Sequence, residues 1–193
     1  MEHYLQQLVN FYPVSAKQEH VRALLEYAKE HFDAHGLHTI MLEYNGVYNL
    51  YASTKPSKHS KVLLQAHIDV VPGQEQTFKV AGHNYCGRGV YDMLFAASCY
   101  MKLCDELGEK LQHMDLAFML SGDEELGGFN GVKPFLEAGY TTDACVLPDA
   151  GNNFGGMNIA AKGIATHSVR IHGQSHHGSR PWEGDGAAAK LVH

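Results

Sequence analysis

The sequence lacks any long apolar run and any excess of positive charge. No stretch approaches the roughly 18 consecutive apolar residues that span a bilayer. The 193 residues include 15 basic and 21 acidic side chains, for a formal net charge of −6. A chain with this balance has no bulk electrostatic reason to bind nucleic acid or an anionic membrane surface. We therefore expect neither a membrane nor a nucleic acid among its partners.

Disulfide and export signals are also missing. The four cysteines include no C-x-x-C pair, and four thiols in a chain of this length do not make a disulfide framework. The first residues, Met1–Gln7, have neither the basic start nor the apolar stretch of a signal peptide. We expect reduced thiols and a cytoplasmic protein. Histidine is the unusual count, at 14, although most such side chains are ordinary surface residues.

The spacing of apolar residues predicts a long helix and a β-hairpin near the start of the chain. Apolar residues recur at three- and four-residue steps within residues 16–35, which predicts a helix there. Two short strands are predicted over residues 38–43 and 47–52. Asn45-Gly46 between them is a hairpin turn signal.

Three later apolar runs predict strands that are buried on both faces of a sheet. They span residues 61–66, 116–120 and 144–147, and helical patterns lie between them near residues 92–107 and 130–138. Strands that alternate with helices are typical of an α/β sheet with helices on its faces. Ligands bind to such sheets just beyond the carboxyl ends of the strands.

Side chains able to bind a metal ion occur at these predicted strand ends. In chain order they are His67, Asp69, Asp92, Glu124, Glu125 and Asp149. Taken singly, each is more often a helix cap or a solvated turn residue. Their joint occurrence at the ends of strands or starts of helices instead favours a site for a hard or borderline divalent cation.

The spacing of two residue pairs indicates different roles for their members. In extended backbone His67 and Asp69 point to the same side, so Asp69 is able to hold the far ring nitrogen of His67. Glu124 and Glu125 are adjacent and would point in different directions in extended backbone. One is then able to bind metal while the other moves protons as a general base.

At these residues the chain resembles the co-catalytic zinc family of aminoacylases and exopeptidases, which includes acetylornithine deacetylase, succinyl-diaminopimelate desuccinylase and glutamate carboxypeptidase. The resemblance extends from Leu63 to about Leu191. The matching motifs are QAHIDVVP at 65–72, GRGVYDM at 87–93, SGDEE at 121–125, LPD at 147–149 and HGSRPWEG at 177–184.

The resemblance implies a fold and a domain organisation. The fold is α/β, with a mixed sheet that carries helices on both faces, as in a zinc exopeptidase-like catalytic domain. Residues 1–163 would form the N-terminal part of this domain. Residues 164–193 would begin a smaller α+β lid or dimerisation domain.

The resemblance also implies the metal ligands. His67 and Asp149 would bind one zinc ion, Glu125 would bind a second, and Asp92 would bridge the two. Family members often have a cis peptide bond after the bridging aspartate, so the bond between Asp92 and Met93 is expected to be cis. Cobalt or manganese are possible in place of zinc.

Three further residues have implied catalytic roles. Glu124 would be the general base that takes a proton from zinc-activated water, and Asp69 would orient the ring of His67. His177 would reach the active site of a partner subunit and stabilise the developing oxyanion. The implied reaction is hydrolysis of an amide bond in a small peptide or an N-acyl amino acid.

Family members are about twice as long as this chain. The last metal-binding histidine belongs to a part that this chain does not contain, so we expect the chain to be truncated. Three candidate ligands remain at one metal position, whereas only Asp92 and Glu125 remain at the other. We expect one metal or none to bind, and little or no hydrolysis by this chain alone. A homo-oligomer, or a second chain that supplies the missing half, would cover the exposed apolar surface.

Two other classes of function compete with a metal-dependent hydrolase. A non-catalytic metal-binding or interaction protein would keep the cluster without the chemistry, but it has no need of the general base Glu124. A generic α/β module would use the same carboxylates as caps and turns, and it would bind no divalent metal at all.

Overall fold

A mixed β-sheet is the centre of the first part of the chain. The computed structural model describes residues 1–149, 151, 155–160, 162–163, 165, 167–187 and 190. The strands are β1 (His38–Tyr44), β2 (Val47–Ser53), β3 (His59–His67), β4 (Lys79–Ala81), β5 (Asn84–Cys86), β6 (Leu116–Ser121) and β7 (Thr141–Val146). Five of them form one sheet in the order β1-β2-β6-β3-β7, and β4 pairs with β5. The β1–β2 and β2–β6 pairs are antiparallel, whereas β3 runs parallel to β6 and β7, so the predicted mixed sheet is confirmed.

Helices cover both faces of this sheet, as predicted. They are α1 (Glu2–Asn10), α2 (Gln18–Ala34), α3 (Phe95–Leu107) and α4 (Val132–Glu137). The long helix predicted over residues 16–35 is α2, and β1 and β2 form the predicted hairpin. Its turn residues Asn45 and Gly46 have φ values of 50° and 79°, which is the left-handed conformation that such a turn requires.

The two faces of the sheet differ in how much they bury. Helices α1, α2 and α3 pack on one face and form the main hydrophobic core, in which the rings of Phe32 and Phe118 stack at 5.1 Å. On the other face, α4 places Phe135 against Tyr51 and Met119 in a much smaller cluster. Few apolar contacts among the described residues therefore hold α4 against this second face of the sheet.

The prediction that residues 144–147 form a strand buried on both faces is wrong. Strand β7 pairs only with β3 among the described residues, and its residues 143–146 are exposed. Burial of a strand depends on what packs over it, and little of the described chain packs over β7. Val146 and Leu147 are about half exposed, and Leu136 of α4 is more exposed still. The exposed face of β7, together with Leu136 and Leu147, lines a cavity of about 310 Å³.

The chain divides into two compact units, Met1–Gly156 and Met157–His193. In the second unit a β-bridge joins Gln174 to Asp185, and a short 3-10 turn spans Pro181–Glu183. The domain boundary predicted between residues 163 and 164 stays a prediction, because residue 164 lies outside the described residues. Of the helices that the structure describes, none is both long and apolar enough to cross a membrane.

Candidate metal centre

Parallel strands carry the predicted ligands to one edge of the sheet. Strand β3 ends at His67 and β6 ends at Ser121, and these two residues are partners in the parallel pair. Asp69 and Glu124 therefore emerge side by side, and Asp149 follows the third parallel strand, β7. This is the edge at which ligands bind to α/β sheets.

Carboxylates from three separate segments face one nitrogen of a buried histidine. The side chain of His67 is 1% exposed, and its Nε2 lies 3.0 Å from Asp92 Oδ1. The same nitrogen is 3.8 Å from Glu124 Oε2 and 3.9 Å from Asp149 Oδ1. Glu125 joins them, since its carboxylate lies within 4.8 Å of the ligand atoms of His67 and Asp92. We call His67, Asp92, Glu124, Glu125 and Asp149 the strand-end cluster.

Asp69 is fully buried next to the cluster and contacts both His67 and the glutamate pair. Its main-chain carbonyl is 3.0 Å from His67 Nδ1, and its Oδ1 is 3.5 Å from the same nitrogen. The carboxylate accepts hydrogen bonds from the backbone N–H groups of Glu124 at 3.0 Å and Glu125 at 3.3 Å. The main-chain carbonyl of Asp69 thus contacts the ring of His67, and the carboxylate links this histidine to the glutamate pair. The predicted role of the Asp69 side chain in orienting the ring stays a prediction.

Ser15 is a supporting residue that the motifs did not reveal. Its hydroxyl donates a 2.8 Å hydrogen bond to Asp69 Oδ2. The two residues are brought together because Val14, beside Ser15, forms a parallel bridge with Val70. No local pattern connects positions 54 residues apart in sequence, so only the fold shows this contact.

The expectation of extended backbone at Glu124 and Glu125 is wrong. Residues Glu124–Leu126 form a 3-10 turn, which aims both N–H groups at Asp69. The preceding Gly122 allows the chain to pass close to β2, because a Cβ there would lie 2.5 Å from the carbonyl oxygen of Tyr48. Buried Asp123 continues the support, and its Oδ2 accepts a 2.8 Å hydrogen bond from the N–H of Asn130.

Asp92 lies in an irregular segment ahead of α3. The helix predicted from residue 92 begins instead at Phe95, because Asp92 and Met93 have non-helical backbone angles. The peptide bond between them is cis, as predicted. Gly89 opens this segment with φ of 80°, and a Cβ there would lie 2.7 Å from a methyl carbon of Val70.

Negative charge accumulates in the strand-end cluster. Burial raises the pKa of Glu124; His67 opposes this effect, and the carboxylates of Asp149, Asp69 and Asp92 add to it. The pKa of Glu125 is raised in the same way, by burial and then by Asp92. Burial by itself would lower the pKa of His67, but Asp69 and Glu124 outweigh it and raise that pKa to about 9. Burial is thus the main cause of the raised pKa at both glutamates, and neighbouring carboxylates add to it.

The donor set fits a divalent metal ion. One imidazole nitrogen and several carboxylate oxygens are ligands that zinc accepts, and manganese or cobalt also accept them. A bound cation would offset the carboxylate repulsion that adds to burial in raising the glutamate pKa values. His67 is the one histidine that the structure places in this cluster, among the residues that it describes.

His177 belongs to the second unit, and its predicted catalytic role stays a prediction. Its Nδ1 is 2.8 Å from the hydroxyl of Ser179 and accepts a 3.2 Å hydrogen bond from the N–H of that residue. These contacts hold the ring of His177 within its own exposed loop.

Comparison with protein families supports the resemblance drawn from the motifs. The model of peptidase family M20/M25/M40 matches residues 63–192, which include every residue of the strand-end cluster. Probable carboxypeptidases of Arthroderma benhamiae and Trichophyton verrucosum are each 24% identical over 158 residues. That alignment covers 77% of this chain and 34% of either relative. The chain thus spans about a third of the length of the curated relatives it matches.

Solved structures agree on the fold. An M20 family metallo-carboxypeptidase, Sso-CP2, from Sulfolobus solfataricus superimposes with a TM-score of 0.63 at 20% identity, over 78% of this chain and 37% of that one. Human carnosine dipeptidase 1 gives a TM-score of 0.60 at 15% identity, over 76% and 38% respectively. At these identities the likeness shows a common fold, which the predicted α/β class matches.

Proposed function

This chain belongs to peptidase family M20/M25/M40, and we propose that its strand-end cluster hydrolyses the amide bond of a small peptide or an N-acyl amino acid. At the level of the family, the activity is that of a metal-dependent hydrolase. The observation that carries the proposal is one buried histidine nitrogen facing three carboxylates from three separate segments, at 3.0 to 3.9 Å. Carboxypeptidase relatives favour a peptide bond at the end of a substrate.

The residues divide between two metal positions in this proposal. His67, Asp92 and Asp149 would hold one ion, and Asp92 with Glu125 would hold part of the coordination of a second. Zinc is the proposed metal, with cobalt or manganese as replacements. When bound, such an ion lowers the pKa of a water molecule and polarises the scissile carbonyl.

Glu124 is the proposed general base. Its side chain is 48% exposed, so its carboxylate is able to reach a water molecule at the cluster. It would accept a proton from that water as the water attacks the carbonyl carbon, and it would then protonate the leaving amine nitrogen. Burial and nearby carboxylates raise the pKa of Glu124, which brings it nearer to the value that a base working close to neutral pH needs.

Asp69 and His177 complete the proposal. Asp69 would position the His67 ring and the Glu124 backbone, and because it is fully buried it would not touch the substrate. His177 would stabilise the oxyanion in the site of a partner subunit. The exposed face of β7 supports association with a second copy or a second chain, because a large apolar cavity there has little cover from the described residues.

Metal binding and hydrolysis by three forms of the chain would test this function. We expect the strand-end cluster of wild type to bind one zinc ion better than two, His67→Ala to lose the ion bound there, and Glu124→Gln to keep it. Zinc-loaded wild type should slowly hydrolyse members of a panel of dipeptides and N-acetyl amino acids. Glu124→Gln should be at least about 100-fold slower. If zinc binds but wild type never exceeds Glu124→Gln, the cluster is a binding site without catalysis.

A further inference from the structure

A second group of ligand side chains lies where the end of α2 meets the end of α3. We call His31, His35 and Asp105 the helix cluster. We propose that the helix cluster binds one divalent transition-metal ion of the zinc type, and that this ion fastens α2 to α3. The proposal is independent of the hydrolytic function, because no residue of the strand-end cluster takes part in it.

The two histidines are spaced to bind one ion together. His31 lies in the last turn of α2, and His35 is the residue directly after that helix. Residues four apart project from the same side of a helix, which is the spacing of paired histidine ligands in helical zinc sites. The two ring centroids are 4.5 Å apart.

Asp105, on α3, completes three of the four corners of a tetrahedron. Zinc binds nitrogen and oxygen at about 2.0–2.2 Å, so two ligand atoms in a tetrahedral site are about 3.4 Å apart. Asp105 Oδ1 is 3.6 Å from His31 Nε2 and 3.3 Å from His35 Nε2. These two distances match edges of the coordination tetrahedron.

Hydrogen bonds around the cluster orient two of the ligands as in known metal sites. His35 Nδ1 is 2.8 Å from the main-chain carbonyl oxygen of His31. If the ring donates its proton there, the lone pair of Nε2 is left for an ion. Asp105 Oδ2 accepts a 2.9 Å hydrogen bond from the hydroxyl of Tyr4, which leaves Oδ1 directed at the two imidazoles.

The third ligand, His31, must change one contact. Its Nε2 is 2.9 Å from the carbonyl oxygen of Met101, so in the metal-free chain this nitrogen donates a proton. Metal binding would move that proton to Nδ1 and give up the bond to Met101. The side chains of His31, His35 and Asp105 are 12%, 22% and 32% exposed, so water is able to reach the fourth corner.

A metal-free explanation of the helix cluster also exists and must be separated from the proposal. A neutral imidazole has a single N–H group. His35 therefore cannot donate both to the carbonyl of His31 and to Asp105 unless it carries two protons. In that case a His35 imidazolium would pair with Asp105, and added metal would find no lone pair at this nitrogen.

A cobalt titration of the metal-free chain, followed by visible absorption, distinguishes the two explanations. We expect His35→Gln and Asp105→Asn each to bind one equivalent of Co²⁺ fewer than wild type. His67→Ala, which disables the strand-end cluster, should keep the equivalent bound at the helix cluster. The matched control is His38→Gln, an exposed histidine on β1 that should bind as wild type. Circular dichroism of each variant checks that it is folded.

A second measurement needs no substitution in the helix cluster. Zinc added to His67→Ala labelled with ¹⁵N should shift the Nε2 resonances of His31 and His35 at one equivalent and raise the melting temperature of the protein. The proposal is overturned if His67→Ala binds no Co²⁺, if both helix-cluster variants bind as much as wild type, or if the two Nε2 resonances do not respond to zinc.

Discussion

The strand-end cluster and the helix cluster show two ways in which one chain brings histidine and carboxylate together. The strand-end cluster surrounds one buried histidine with four carboxylates from three segments, and Asp69 accepts hydrogen bonds from the backbone N–H groups of Glu124 and Glu125. The helix cluster sets two histidines against a single carboxylate, on two helices that pack side by side. Four carboxylates face one histidine in the strand-end cluster, whereas one carboxylate faces two histidines in the helix cluster, so the strand-end cluster should depend far more on a bound cation.

The difference extends to the charge of the histidines themselves. Nearby carboxylates raise the pKa of His67 to about 9, against the effect of burial. Burial lowers the pKa of His31, with a smaller contribution from His35 in the same direction, and the bond to Met101 and the charge of Asp105 oppose it without reversing it. His67 is thus held as a cation in the metal-free chain, whereas His31 is held neutral.

The largest effect should come from the buried carboxylate that organises the strand-end cluster. In Asp69→Asn, an amide nitrogen would face N–H donors of Glu124 or Glu125, and His67 would lose its charged partner. We expect a loss of about 3 kcal/mol in the free energy of unfolding and a 10- to 100-fold weaker metal affinity, to order of magnitude. Urea denaturation and a zinc titration measure these two quantities.

Asp105→Asn is the matched variant in the helix cluster. An amide there still accepts from the hydroxyl of Tyr4, and the site is more exposed, so the loss should be about 1 kcal/mol. Equal destabilisation by the two variants would contradict the difference drawn between the clusters.

The pH dependence of stability should have opposite signs at the two clusters. The folded pKa of His67 lies above the unfolded value of 6.5, so its contribution is complete below pH 6.5 and is lost as the pH rises through about 9. A shift of this size corresponds to about 3 kcal/mol in the metal-free chain. His31 has a lowered pKa, so its contribution is present above pH 6.5 and is lost as the pH falls through its folded pKa.

Urea denaturation of the metal-free chain across this pH range measures both effects. His67→Gln should remove the decline in stability between pH 6.5 and 9, and His31→Gln should remove only the decline on the acid side. A wild-type stability that stays flat or rises between pH 6.5 and 9 would contradict the cationic state of His67.

Close backbone packing is the next contrast. A Cβ at Gly122 would lie 2.5 Å from the Tyr48 carbonyl oxygen and 2.7 Å from a methyl carbon of Val21, so Gly122→Ala should cost about 2 kcal/mol. Gly36, next to the helix cluster, has φ of 73°, and a Cβ there would meet only the flexible end of Gln112. Gly36→Ala should therefore cost about 1 kcal/mol, through its backbone conformation. Thermal unfolding ranks the two variants, and the reverse order would contradict this explanation.

Much of the fold follows from local pattern, which explains what the sequence predicts well. Helix α2 shows its apolar period, the hairpin shows its Asn45-Gly46 turn, and the rule for strand ends brings His67 and Asp149 together. Each of these inferences needs only a short window of residues or a general property of parallel sheets.

The remaining features depend on contacts between distant segments. The exposure of β7 depends on what covers it, and the 3-10 turn at Glu124 depends on a carboxylate 55 residues earlier. The helix cluster joins positions 70 or more residues apart. An excess of histidine in the composition does not predict which of the rings meet.

The smallest effects should come from the hydroxyl groups that support the two clusters. Ser15→Ala removes a 2.8 Å hydrogen bond to fully buried Asp69 and leaves that carboxylate with one donor fewer. We therefore expect a loss of about 1 kcal/mol in the free energy of unfolding and a zinc affinity that is a few-fold weaker. Tyr4→Phe removes the 2.9 Å hydrogen bond to Asp105, which water is able to replace because Asp105 is partly exposed, so the loss in stability should be nearer 0.5 kcal/mol. In the cobalt titration each variant should weaken only its own cluster. If Ser15→Ala weakened binding at the helix cluster, the two groups would be coupled, and their treatment as independent sites would be wrong.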